Sequence, residues 1–135
     1  MNRIWEFTGE TKDHLGITLR RIRRISDGAL GGWIEKETQV YGDAWVSGNA
    51  CVYGNALVRG NALVCGDAQV FGDARVYGNA RVYGNSRVYG NSWVYGDAQV
   101  YSNAQVYGDA RVSGDALVFG DVQVYGNALV DTRVS

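Results

Sequence analysis

Valine recurs every sixth residue from Val40 to Val130, sixteen times without an insertion. The unit around it reads valine, a mostly aromatic residue, glycine, asparagine or aspartate, alanine, then a variable residue. Fifteen complete hexads run from Val40 to Leu129. The register extends back through Ile34 to Gln39, with Ile34 in the valine place and Thr38 in the alanine place. It extends forward through Val130 to Ser135, with Val134 in the alanine place. Residues 34–135 therefore read as seventeen hexads in one register, a period that marks a solenoid. In an extended segment, valine and the alanine two residues before it share one side, while the variable and aromatic residues share the other. Each hexad is thus predicted to be a short strand plus a corner, with valine and alanine facing inward. Glycine and Asn/Asp supply the corner, because they tolerate positive φ. Only Lys36, Ser102 and Thr132 replace glycine there. A helix is excluded, since six is not a helical period and nearly every unit carries a glycine.

Three such sides close a triangle of 18 residues per coil, and seventeen hexads give about 5.7 coils. Coils stacked about 4.7–4.9 Å apart make a rod on the order of 25 Å long. Each coil sends three valines to the axis, and each buried valine contributes about 1.5–3 kcal/mol before entropy is counted. Residues 1–33 break the period and form a separate unit. Alternation in Ile4 to Phe7 and in Ile17 to Ile25 predicts two or three short strands, with Trp5, Ile22, Leu30 and Trp33 among the apolar set. They are expected to cover the first coil, whose open end exposes unpaired backbone and core valines. The expected division is therefore an N-terminal β cap over 1–33 and a repeat domain over 34–135.

Composition agrees with this division. Glycine makes up 19 of 135 residues while proline is absent. Fourteen of those glycines, from Gly42 to Gly126, fall at one corner site, and proline would remove an amide from a ladder paired on both edges. The 46% hydrophobic content and net charge of −1 exclude disorder. No apolar run approaches the roughly 20 residues of a membrane helix, and the N-terminus lacks the apolar core of a signal peptide. No membrane partner is expected, and the expected location is cytoplasmic. The repeat domain carries 7 Lys+Arg against 10 Asp+Glu, which argues against nucleic acid.

The hexads resemble the left-handed parallel β-helix proteins built of hexapeptide repeats, over 34–135. Left-handedness is implied by that resemblance, since the general crossover rule favours the other hand. One departure is that tyrosine often follows the aliphatic residue here, where the family usually has a small or acidic one. The segments Glu6-Phe7-Thr8-Gly9-Glu10-Thr11-Lys12 and Leu30-Gly31-Gly32-Trp33-Ile34-Glu35, with the Tyr-Gly-Asn-Ala hexads, are similar to a phage and prophage subgroup. Its members are mostly of unknown function and are often labelled transferases by analogy of fold, and the resemblance implies a virion-associated location if the protein is structural in a phage. The fold class is therefore all-β: a triangular left-handed parallel β-helix with a small N-terminal β cap.

Stacking at 18 residues sorts the outward side chains into columns. One face carries an aromatic ladder of Tyr53, Phe71, Tyr89, Tyr107 and Tyr125, beside Cys51, Gln69, Arg87, Gln105 and Gln123. A second carries Ser47, Cys65, Tyr83, Tyr101 and Phe119. The third carries Tyr41, Arg59, Tyr77, Tyr95 and Ser113. Stacked aromatics stabilise a sheet, and an exposed aromatic strip is also an interface signal. Self-association is expected through the ladder from Tyr53 to Tyr125, through the final coil at Val134, or through both; the resemblance adds that enzymes of this fold are commonly trimers. Arg75, Arg81 and Arg87 ring one coil beside Tyr77, Tyr83 and Tyr89. They are candidate phosphate or base contacts, against the plainer reading of exposed cation–π pairs. Arg20, Arg21, Arg23 and Arg24 read as a solvated strand face. The column Glu37, Asn55, Asp73, Asn91, Asp109, Asn127 alternates, which suits corner turns better than calcium; Asp97 and Asp115 are the one adjacent carboxylate pair.

Catalysis is not expected. The family's acyltransferases use a histidine and its carbonic anhydrases use three around zinc, whereas this chain has the single His14 outside the repeat. Cys51 and Cys65 fall on different faces, without a disulfide or a histidine to activate them. No catalytic, cofactor or metal residue is therefore assigned and no cofactor is expected. The favoured expectation is a non-enzymatic structural or interaction protein that forms a homo-oligomer, with a further protein partner allowed. The alternatives are a protein that sequesters a host factor or nucleotide through its Tyr/Arg faces, and an acyltransferase-like protein without its histidine.

Overall fold

A computed structural model describes residues 3–135. It opens with three strands, β1 (Trp5–His14), β2 (Ile17–Arg24) and β3 (Leu30–Ile34), and continues with sixteen two-residue strands. Each short strand from Trp45–Val46 to Leu129–Val130 is the variable residue of a hexad and the valine after it, and the last is Arg133–Val134. The strands form three sheets, one per face of a parallel β-solenoid of about six turns. Register is set by 18: Cys51 pairs with Gln69, Leu63 with Arg81 and Leu57 with Arg75. The cross-coil bonds repeat with the hexad: Cys51 N donates to Ala68 O, Tyr53 N to Val70 O and Asn55 N to Gly72 O, at 3.0, 3.1 and 2.8 Å.

The valines and alanines behave as their parity requires. Val40 through Val118 are fully buried along the axis, and the alanines from Ala44 to Ala116 lie with them. Serine takes the alanine place twice. Ser86 Oγ bonds to Tyr83 O at 2.8 Å and Val100 O at 3.3 Å, and Ser92 Oγ does the same to Tyr89 O and Val106 O. A buried hydroxyl is thereby satisfied within the corner itself.

At the glycine corners the positive φ falls on glycine alone, as at Gly54 (+71°), and the following Asn or Asp has a negative one. Ala56 N closes the turn on Tyr53 O at 3.4 Å, the pattern of a type II′ turn with glycine in second place. The corner therefore uses the acidic and amide residues differently from the sequence expectation. Their side chains tie one coil to the next: Asn49 to Asp67, Asn55 to Asp73, Asn79 to Asp97 and Asn103 to Asp121, at 3.0–3.3 Å. Ser102 carries φ +59° at a glycine place, a conformation that costs a residue with a Cβ about 1–2 kcal/mol.

The last turn departs from the expected register. Arg133 pairs with Leu117 and Val134 with Val118, an offset of 16. Val134 therefore takes the valine place, and the corner from Val130 is shortened by two residues. The local reason is visible in the sequence: Arg133-Val134 repeats the Arg-Val dipeptide that forms the strand at 75–76, 81–82, 87–88 and 111–112.

The N-terminal residues are a long bent hairpin. β1 and β2 pair antiparallel, β2 pairs antiparallel with β3, and β3 then runs parallel to Cys51–Val52. β3 thus crosses the expected 33/34 boundary and serves both units. Irregular pairing between Phe7 and Thr11 and between Arg21 and Arg23 bends the hairpin, because a bulge re-aims the side chains beyond it. On one side of the bend, fully buried Trp5 and Ile22 join the axial core with Ile34, Val40 and Val46. Trp5 Nε1 donates to Val40 O at 2.8 Å. On the other side, Leu19 and Ile17 leave the axis and pack on Cys51 and Tyr53. Gly31 and Gly32 make this closure fit: a Cβ on Gly32 would stand 2.6 Å from Ala50 O and 2.8 Å from Val46 Cγ1. Gln39, 1% exposed, fills the first glycine-free corner, accepting from Lys36 N and donating to Ala56 O.

Candidate functional site

The columns read from the hexad period are brought together as stacked ladders. Tyr53, Phe71, Tyr89, Tyr107 and Tyr125 stack with ring centres 5.0, 4.8, 5.0 and 5.3 Å apart. Their planes are nearly parallel at the top, 2° apart, and open to 12° at Tyr125. Shorter ladders form on the other faces, Tyr77 on Tyr95 and Tyr83 on Tyr101 and Phe119. Such stacking covers the ring faces and leaves ring edges and hydroxyls at the surface, so a base or sugar has no open π face within a ladder.

The hydroxyls follow a rule that the column reading missed. Tyr53 donates to Gln69 Oε1, Tyr83 to Gln99, Tyr89 to Gln105 and Tyr107 to Gln123, at 2.9–3.2 Å. The offset of 16 is one coil forward and two residues back, which brings the variable residue of the next coil under the ring. Phe71 has no hydroxyl, and Arg87 stands at its offset of 16 where the tyrosines have glutamine. The signal was in the sequence, as a tyrosine followed sixteen residues later by glutamine.

The ladder is covered at one end only. Tyr53 is 6% exposed beneath the hairpin, and the His14 ring meets it edge-on at 5.1 Å. His14 is therefore packed instead of free in solvent, and its Nε2 is buried without a hydrogen-bond partner. Phe71, Tyr89 and Tyr107 are half-buried by their own stacking, and Tyr125 is 58% exposed. Burial raises the pKa of Tyr53 and of Tyr89, with Cys51 and Tyr107 respectively adding to the rise. These phenols stay neutral and hydrogen-bonded.

Arg75, Arg81 and Arg87 lie in three different sheets, so the coil ring exists but does not converge. Arg75 stacks over Trp93 at 5.7 Å, while Arg81 and Arg87 line separate open grooves along the corners, with Asn79 and Gln99 and with Asn85 and Gln105. Arg20, Arg21, Arg23 and Arg24 are taken up inside the cap. Arg21 pairs with Glu10, Arg23 with Glu6 and Arg24 with Asp27, and Arg20 lies over the Phe7 ring at 4.1 Å. Cys51 and Cys65 are both free thiols on different faces, and burial pushes both pKa values up. Thiols held protonated in this way are poor nucleophiles. Asp97 accepts from Asn79, and among the described residues no His, Cys, Asp or Glu cluster has metal-site geometry.

No curated protein matches the chain. Residues 68–82, 80–96 and 104–122 match the family model of the YdcK beta solenoid repeat. These stretches lie wholly within the regular coils, so geometry and family model agree: the chain is a β-solenoid repeat protein.

Proposed function

We propose that the protein is a non-enzymatic structural or interaction protein of phage or prophage type, which self-associates through its longest aromatic ladder. The observation that carries this reading is the uneven cover of that ladder. The chain's own hairpin seals the first rung with Ile17, Leu19 and His14, while Phe71, Tyr89, Tyr107 and Tyr125 continue the same strip uncovered. A surface that already binds an apolar β-hairpin at one end is suited to bind another protein surface along the rest. The phage or prophage type rests on the resemblance of the Tyr-Gly-Asn-Ala hexads and the opening segments. The packing of His14 on Tyr53 and the raised pKa of both cysteine thiols support the non-enzymatic part of the reading.

Sedimentation velocity over a wide concentration range tests the proposal. The wild type is expected to form a discrete oligomer that Tyr107→Lys dissociates, because a charge placed within the strip must be desolvated on contact. A wild type that stays monomeric at the highest concentration would refute it.

A further inference from the structure

The arginines of the solenoid differ in kind from those of the cap. Every ion pair of Arg21, Arg23 and Arg24 lies within residues 3–34, whereas Arg59, Arg75, Arg81, Arg87, Arg111 and Arg133 form none among the described residues. Three of these six share the third face. Arg111 lies over the Trp93 ring at 4.4 Å and Arg75 at 5.7 Å, so one indole carries two guanidinium groups. Arg59 lies over Tyr77 at 5.3 Å and donates to Tyr41 Oη at 3.0 Å. Tyr77 meets Trp93 edge-on at 6.4 Å, which joins the two halves. Burial raises the pKa of Tyr77 and Tyr95 adds to it, but Arg59, Arg111 and Arg75 all pull it down. The three guanidinium groups are thus joined through two rings in contact, Tyr77 and Trp93.

Stacking fixes the plane of a guanidinium and leaves its N–H edges free for an oxyanion. Arg75 and Arg111 are exposed and Arg59 is half-buried. The carboxylates nearest in sequence are Asp73 and Asp109, and Asp109 lines the same groove as Trp93 and Arg111. Asp97 accepts from Asn79. None of the three comes within ion-pairing distance of an arginine. The site offers guanidinium donors held by stacking on Trp93 and Tyr77, and Trp93 already carries two cations. That favours the anionic group of a ligand over a base.

We propose that Arg59, Arg75 and Arg111 form a site for a tetrahedral oxyanion, a phosphate or sulfate group that is free or carried as the ester of a small molecule. Only Arg75 belongs to the coil ring picked out by the sequence. The site lies on a different face from the self-association ladder, so the two proposals fail independently.

Calorimetric titration with inorganic phosphate and with phenyl phosphate, at fixed ionic strength against chloride, provides the test. Saturable binding is expected, about tenfold weaker in Arg111→Gln, the loss of one charge-assisted hydrogen bond. Arg111→Lys should fall between the two, keeping charge without the planar fork. Arg81→Gln, on the second face, should bind as the wild type does. Equal affinity for the two probes would support the free ion, and tighter phenyl phosphate an ester. Absence of saturable binding, or equal weakening by Arg81→Gln and Arg111→Gln, would overturn the proposal.

Discussion

Gly96 and Gly120 occupy the same corner site with nearly the same φ, +68° and +74°. They differ in what lies beyond them. A Cβ on Gly96 would stand 2.8 Å from Gly114 N and 3.2 Å from Gly114 O, while a Cβ on Gly120 would meet nothing within 4 Å. Positive φ costs alanine about 1–2 kcal/mol, and the stiffer unfolded chain returns about 0.4–1, so Gly120→Ala should lose about 0.5–1 kcal/mol. Gly96→Ala adds a clash against backbone, which the Asp97 N to Gly114 O bond of 2.8 Å holds in place. Overpacking of this kind costs about 1–3 kcal/mol, for a total of about 2–4. Urea unfolding followed by circular dichroism measures both, provided the slopes agree. Position along the rod is controlled by Gly78→Ala, whose Cβ would face Gly96 N at 3.0 Å and which should lie nearer Gly96→Ala. Equal losses at Gly96 and Gly120 would show that glycine is needed only for its φ, and the close approach of coils would not be the reason for the column.

At the other end of the molecule, Gly32→Ala should destabilise by about 1–3 kcal/mol, because Ala50 O and Val46 Cγ1 leave no room for a methyl; thermal unfolding reads the loss. Trp5→Phe removes the donor to Val40 O and should cost about 1–3 kcal/mol in urea. The raised pKa values of Tyr53, Tyr77, Tyr83 and Tyr89, due first to burial, set the sign of the alkaline response. Their contribution to stability is complete below about pH 10 and is lost as pH rises through the folded values. Tyrosinate absorbance should therefore titrate later in the folded protein than in urea, and coincident curves would contradict the burial of these rings.

The solenoid was legible because its information is periodic. Parity within the hexad assigns Val and Ala to the axis, and an 18-residue coil assigns Tyr53, Phe71 and Tyr89 to one ladder with no knowledge of the rest of the chain. The cap was legible only as apolar strands. Its bend depends on irregular pairing at Phe7–Thr11, marked in the sequence by Gly9 at φ +98°, and at Arg21–Arg23; a glycine in a strand signals a bulge but not the direction of the bend, and so the contact of His14 with Tyr53 was out of reach. The shortened last corner was missed because the period was extended mechanically past Val130, against the Arg-Val dipeptide. The convergence of Arg59, Arg75 and Arg111 escaped notice for a related reason. Columns give neighbours one coil apart, as Arg111 and Trp93 are, but not the step across them from Tyr77 to Trp93.

A chain of near-identical hexads has a threading problem. Sliding the repeat by six residues relative to its neighbours keeps every valine on the axis and every glycine at a corner, and merely rotates each face onto the next. Core burial therefore discriminates poorly between one winding and another. The hairpin breaks that degeneracy. It is joined covalently to Trp33-Ile34, whose partner among the coils is Cys51-Val52, and the Trp5 indole reaches one particular carbonyl, that of Val40. The bent hairpin thus acts as the origin of a coordinate system: it numbers the coils, and every ladder and arginine cluster below it inherits its position from that count.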